Sequence, residues 1–203
     1  MAYADVGGLS LYYEAHGSGE PLVLLHLGLE GADVMGYSLG GGVALRTAIQ
    51  HPQLVRRLVL VSTPCRRGGW YPEVLAGMAQ MGPRAAEPMK QTPLYELYSR
   101  IAPRVEDWPV LLTKLGELLG REYDWSAEVA AIEAPTMLVV GDADSVPPAH
   151  AVELFGLLGG GQRDAGWDGS GRPNARLAIL PGTTHYDIFA SPALAAAVIP
   201  FLD

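Results

Sequence analysis

The sequence predicts an α/β protein: a mostly parallel β-sheet flanked by helices and interrupted by a helical insertion. Three observations carry this. The runs at 22–25, 58–61, 136–140 and 177–180 are apolar almost throughout, as strands are when both faces of a parallel sheet are covered and neither meets water. Stretches with helical spacing separate the later runs. Finally, Gly36-Tyr37-Ser38-Leu39-Gly40 sits between a short apolar run, Asp33-Val34-Met35, and a stretch that opens like a helix, Gly41-Gly42-Val43-Ala44-Leu45. Strand, sharp turn and helix in that order are an α/β arrangement.

Composition bounds the possibilities. A chain of 203 residues can bury one good core with a subdomain, but hardly two full domains. Hydrophobic content of 49% against 18% charged residues describes a folded chain. A net charge of −8 argues against a nucleic-acid backbone or an anionic membrane as partner. The single cysteine, Cys65, excludes an intramolecular disulfide and a cysteine-based metal cluster. No apolar run approaches a membrane span, and the N-terminus lacks a signal-peptide profile, so a cytoplasmic location is expected.

In order, 2–6 and 9–15, joined through Gly7-Gly8, read as a β-hairpin. The loop 17–21 leads into the run 22–25, and the next strand begins near Asp33. Parallel neighbours need a crossover of about a dozen residues or more. Only 26–32 lie between these two runs, so they are either antiparallel or lack a crossover that the fold requires. After Ser38 a helix continues to Gln50, with Val43, Ala44, Ala48 and Ile49 available for burial, and His51-Pro52 ends it.

From about 64 to 125 the composition shifts to proline and methionine without an apolar strand run. Leu94, Leu97, Tyr98 and Ile101 recur at helical spacing, as do Leu111, Leu112, Leu115, Leu118 and Leu119. A helical insertion over the end of the sheet follows. In it Trp70, Tyr71, Met78, Met81 and Trp108 either line an apolar pocket or pack helices together. The strand at 136–140 leads into Gly141-Asp142-Ala143-Asp144-Ser145-Val146-Pro147-Pro148, and Ala151, Leu154, Phe155 and Leu158 mark one face of a helix. Residues 159–174 read as a surface excursion. The last strand, 177–180, leads into Pro181-Gly182-Thr183-Thr184-His185, and 192–201 closes the chain as a small apolar helix.

Ser38, the Asp142/Asp144 pair and His185 thus fall at the C-terminal ends of three strands, which in an α/β sheet face one crevice. A neutral serine needs a base to take its proton. Histidine can do so near neutral pH, and a carboxylate on its other nitrogen fixes the tautomer. The order Ser, Asp, His suits this architecture. His16, His26, His51 and His150 have no such setting; His150 falls on a helix and His51 at a helix end, so both read as structural or exposed.

These segments together resemble the α/β-hydrolase fold family, in its esterase, lactonase and C–C hydrolase branch. The likeness rests on Leu24-Leu25-His26, Gly36-Tyr37-Ser38-Leu39-Gly40-Gly41, Gly141-Asp142-Ala143-Asp144 with Pro147, and Pro181-Gly182-Thr183-Thr184-His185. It implies a hydrolase core at 1–64 and 127–203, with a helical lid at 65–126 that sets substrate choice. It implies Ser38 as nucleophile, His185 as base and Asp144 as acid. Asp144 is preferred to Asp142 because the second acid of such turns, followed by an apolar residue and proline, usually takes that role; Asp142 is then a turn-forming residue. The resemblance places one oxyanion donor at the N–H of Leu39 and the second in the loop after His26, at Leu27. Hydrolysis of a small-molecule carboxylic ester or lactone through an acyl-enzyme is the implied reaction, with no metal or organic cofactor. C–C cleavage or peracid formation by the same residues, and a catalytically silent small-ligand binding protein, are the alternatives.

One departure stands out. Members of the family run through a helix, a strand and a second helix between the third strand and the elbow strand. Here Leu25-His26 passes almost at once to Leu27-Gly28-Leu29-Glu30-Gly31-Ala32. A crossover is therefore expected to be missing near 26–32. A 203-residue chain that is the whole polypeptide is expected to show weak or absent activity and poor stability; one that omits an existing segment belongs to an active hydrolase.

Overall fold

The structure, a computed structural model, describes residues 2–6, 9–13, 22–23 and 31–203, the first three segments as strand backbone only. Its strands are β1 Ala2–Val6, β2 Leu9–Tyr13, β3 Leu22–Val23, β4 Ala32–Tyr37, β5 Val55–Val61, β6 Thr136–Ala143 and β7 Ala175–Thr184. The helices are α1 Leu39–Gln50, α2 Pro72–Ala79, α3 Ala86–Met89, α4 Pro93–Ile101, α5 Trp108–Leu119, α6 Ser126–Val129, α7 Pro148–Leu157 and α8 Pro192–Leu202. None of the described helices is long and apolar enough to cross a membrane.

The chain forms two compact units, residues 20–74 with 122–203, and residues 1–19 with 75–121. The first carries a five-stranded sheet in the order β3-β4-β5-β6-β7, every neighbouring pair parallel. Side chains alternate across it. Leu58, Leu60 and Leu138 join Ala44, Leu45 and Ala48 of α1, Val129 of α6 and Leu154 of α7 in one core cluster. Val59, Val61, Met137 and Val139 join Ile188 and α8 residues Leu194 and Val198 in the other. Two dry faces explain why these strands contain almost no polar residue. On α1 the buried positions are Gly41, Ala44, Leu45 and Ala48. Val43, expected to be buried, is 48% exposed, whereas Leu45 is fully buried.

β3 and β4 pair in parallel, with Leu22 opposite Asp33 and Val23 opposite Val34. The antiparallel alternative is thereby removed.

In the second unit, β1 and β2 form an antiparallel pair of their own, Val6 opposite Leu9. Its helices pack around Trp108, which with Ala86 and Leu112 forms a buried cluster flanked by Met81, Tyr95, Tyr98 and Leu115. The Trp108 indole N–H donates to the Ala86 carbonyl at 2.9 Å. Of the two readings of Trp108 and Met81, packing between helices is the one observed. Thr92 caps α4 by accepting the Tyr95 N–H, with Pro93 at the first helical position, where its missing donor costs nothing.

Candidate active site

Four adjacent strands each end one residue before a polar side chain: β4 before Ser38, β5 before Ser62, β6 before Asp144 and β7 before His185. Parallel strands deliver their C-terminal ends to one edge of the sheet, so residues far apart in sequence converge there.

Ser38 occupies the N-cap position of α1 at φ 53°, ψ −120°, a conformation that L-residues rarely adopt. Its backbone is pinned to the neighbouring strand. The Ser38 N–H donates to Val61 O at 2.9 Å, and Thr63 Oγ1 donates to Ser38 O at 3.1 Å. Serine at an N-cap ordinarily accepts an N–H from the first turn. Here the side chain makes no such bond, and Oγ lies 2.9 Å from His185 Nε2. The turn is possible because a Cβ at Gly36 would stand 2.3 Å from Gly40 O, and one at Gly41 would stand 1.8 Å from Thr63 Oγ1. Leu39 opens α1, where an N–H has no carbonyl of its own helix to meet. Leu27, the other residue predicted to serve an oxyanion, lies outside the described residues, as do His16 and His26.

His185 Nδ1 lies 2.9 Å from Asp144 Oδ1. The Asp144 side chain is fully buried, and both its oxygens are engaged. Oδ1 also accepts the Val146 N–H at 3.2 Å. Oδ2 accepts the Gly141 N–H at 3.0 Å and the Ser62 hydroxyl at 2.5 Å. Burial pushes the Asp144 carboxyl up, but the hydrogen bonds from His185, Ser62, Gly141 and Val146 outweigh it and hold the group below the ordinary carboxylate range. An ionised acid on Nδ1 leaves Nε2 free to accept the Ser38 proton. Asp142 does not form a local turn as expected. It is exposed, and Oδ1 accepts the Gly182 N–H of β7 at 2.9 Å, so it ties two strands together while Asp144 makes the local bond to Val146.

Tyr37, to which the sequence assigned no role, and Trp70, one of the proposed pocket residues, lie beside His185. The Tyr37 hydroxyl donates to the His185 carbonyl at 2.5 Å. Its ring centroid lies 5.2 Å from the imidazole, and that of Trp70 lies 5.6 Å away, edge-on. Burial, then the charge of Asp144, pushes the Tyr37 phenol up to about 12, so it remains a donor across the ordinary pH range. Of the proposed pocket residues, Trp70 is buried against His185 and Tyr71 is 37% exposed.

His51 is exposed at the end of α1. His150 is buried instead, 5% exposed. Its Nε2 accepts the Cys65 backbone N–H at 3.3 Å, which leaves the proton on Nδ1, 3.3 Å from Glu153 Oε2. This anchors the segment that carries Trp70. Burial lowers the His150 pKa despite the Glu153 carboxylate. The unfolded chain, with histidine near 6.5, therefore takes up a proton that the folded chain resists. The stability this contributes is fully present above about pH 6.5 and falls as the pH drops towards the lower folded value, by at most about 1.4 kcal/mol per pH unit. Urea midpoints of the wild type and His150→Gln should differ more at pH 7.5 than at pH 5.5. A difference that does not change with pH would exclude this linkage.

Two surface concavities, of about 550 and 490 Å³, lie at the opposite ends of the strands. One is lined by Glu133, Thr136 and Asn174, the other by Arg57, Met137 and Arg176. Neither includes Ser38, Asp144 or His185.

A parallel sheet bearing a serine turn at the end of β4 defines a class of α/β enzyme folds. The profile of the alpha/beta hydrolase fold matches residues 22–189, and the chain belongs to that family. It is 30% identical over 191 residues to the polyketide synthase ThaQ of Burkholderia thailandensis, covering 85% of this chain and 8% of that protein. It is 29% identical over 181 residues to the pimeloyl-[acyl-carrier protein] methyl ester esterase of Nitrosomonas europaea, covering 78% of this chain and 66% of that one. Among solved structures, the meta-cleavage product hydrolase of Pseudomonas fluorescens aligns with a TM-score of 0.60 and 18% identity, over 87% of this chain and 66% of that one. The chain thus spans less than two thirds of each of these proteins.

Proposed function

We propose that the chain is a serine hydrolase that cleaves a small carboxylic ester or lactone through an acyl-enzyme on Ser38. The observation that carries this is the continuous path Ser38 Oγ–His185 Nε2, His185 Nδ1–Asp144 Oδ1, with 2.9 Å at each step. His185 takes the Ser38 proton as Oγ attacks the carbonyl, and returns it to the leaving alkoxide. It then activates the water that releases the acid. Asp144 orients His185 and stabilises the imidazolium. The N–H of Leu39, at the positive end of α1, supports the oxyanion, with Leu27 as the second donor. The name of the Nitrosomonas relative favours an ester among the family's substrates.

The helical insertion at 65–126 serves as a lid that selects the acyl group. The short connection at 26–32 stands for a missing crossover, and loss of a well-placed second oxyanion donor would lower kcat by about 10²–10³.

The test is to incubate the protein with a p-nitrophenyl alkylphosphonate and with p-nitrophenyl butyrate. A stoichiometric adduct on the peptide containing Ser38, formed alongside ester turnover, is expected. Labelling elsewhere, or none, would overturn the reading.

A further inference from the structure

We propose that Ser62 is a positioning residue: its hydroxyl holds Oδ2 of Asp144 so that Oδ1 stays on His185, an inference that rests on the catalytic reading above. Ser62 is the first residue after β5, the strand between those that carry Ser38 and Asp144. It is fully buried, and its hydroxyl donates to Asp144 Oδ2 at 2.5 Å.

The other donors explain why this bond matters. Gly141 and Val146 lie within three residues of Asp144, one at the end of its own strand β6 and the other in the turn that follows. Both belong to the stretch of chain that carries Asp144 and move with it. Ser62 reaches the carboxylate from another strand, 82 residues away in sequence. It therefore fixes the carboxylate against the frame of the sheet, and its own backbone is fixed in turn by the bond from its N–H to Val139 O at 2.8 Å.

The backbone at this position is also unusual. Among the described residues, the non-glycine positions with positive φ are Ser38 at 53° and Ser62 at 52°. Such a conformation disfavours any residue with a Cβ, and glycine would adopt it freely. What serine offers here over glycine is the hydroxyl, and that hydroxyl is spent on Asp144.

A donor on the carboxylate has a chemical consequence besides geometry. It draws negative charge towards Oδ2, so the carboxylate holds the imidazolium less tightly than it would alone. Removing it should loosen the alignment of His185 and at the same time strengthen the attraction between Asp144 and a protonated ring.

The experiment compares Ser62→Ala, which keeps the Cβ, with Ser62→Gly, which relieves the backbone; both lack the hydroxyl. In both, kcat for p-nitrophenyl butyrate should fall about 10-fold, the worth of one charge-assisted hydrogen bond, with KM changed less than about twofold. The acidic limb of the pH–rate profile should move to higher pH by roughly 0.5–1 unit. Ring ¹⁵N shifts of His185 in ¹⁵N-histidine-labelled protein, recorded without substrate, should change in both variants. Unchanged ¹⁵N shifts, or an unchanged pH profile in an active enzyme, would overturn the assignment. So would loss of cooperative unfolding in both variants, which would make Ser62 a packing residue. A wild type that turns over no ester defeats the proposed function instead, and the ¹⁵N shifts still decide the role of Ser62.

Discussion

Ser38→Ala should lower the kcat for ester hydrolysis by about 10⁴–10⁶-fold and leave the fold in place. The change removes Oγ, the atom proposed to bond to the acyl carbon. It keeps the Cβ, so alanine meets the same left-handed backbone as serine at φ 53°. The Ser38 N–H to Val61 O and Thr63 Oγ1 to Ser38 O bonds are made by backbone atoms of residue 38 and survive. In the proposed mechanism, what remains is water attack assisted by His185 and by the amide of Leu39. Steady-state kinetics with p-nitrophenyl butyrate, together with a urea midpoint for each protein, would check both halves. A variant that kept more than about 1% of wild-type turnover would mean that another group attacks the ester.

The second large effect separates glycines of one motif that look alike on the page. Gly36→Ala puts a Cβ 2.3 Å from Gly40 O and 2.6 Å from Gly41 Cα, both backbone atoms at the strand–helix junction. Neither can swing aside as a side-chain tip could. The junction must open, at a cost of about 1–3 kcal/mol or more, and a displacement of Ser38 by about 1 Å would cost a further 100-fold in rate. Gly40→Ala meets nothing within 4 Å among the described residues, and within a helix alanine is favoured over glycine by up to about 1 kcal/mol. Urea denaturation should therefore place Gly36→Ala well below the wild type and Gly40→Ala level with it or above. Equal losses for the two would show that the crowding at Gly36 is not what requires glycine there.

The sheet was legible because a strand buried on both faces has no polar positions, and an uninterrupted run such as Leu58-Val59-Leu60-Val61 suits few places in a fold besides a covered strand. Ser38 was legible because its partners in the turn are neighbours in sequence. Ser62 was not. Ser62-Thr63-Pro64 after an apolar run reads as an ordinary turn, and the carboxylate that gives the hydroxyl its use is 82 residues away. The signal that could have found it was positional: a polar residue directly after the one apolar strand lying between those of Ser38 and Asp144. The role of Asp142 failed for the same reason, since its acceptor bond runs to Gly182 on another strand. Trp108 and Trp70 look equivalent as aromatic residues near the insertion, yet one is core among helices and the other touches the imidazole. Spacing alone carries no such distinction.

Because each of the four polar residues follows its strand without a spacer, the alignment of the site is set by the threading of the sheet. A strand that slipped by a single step would carry its terminal residue about 3.3 Å along the axis and turn it to the opposite side. Contacts of 2.9 Å between Ser38, His185 and Asp144 leave no margin for such an error. The arrangement works like a combination lock with four wheels, open at one setting only. A chain whose sheet is compact but mis-threaded would keep its apolar faces covered and have no working centre at all.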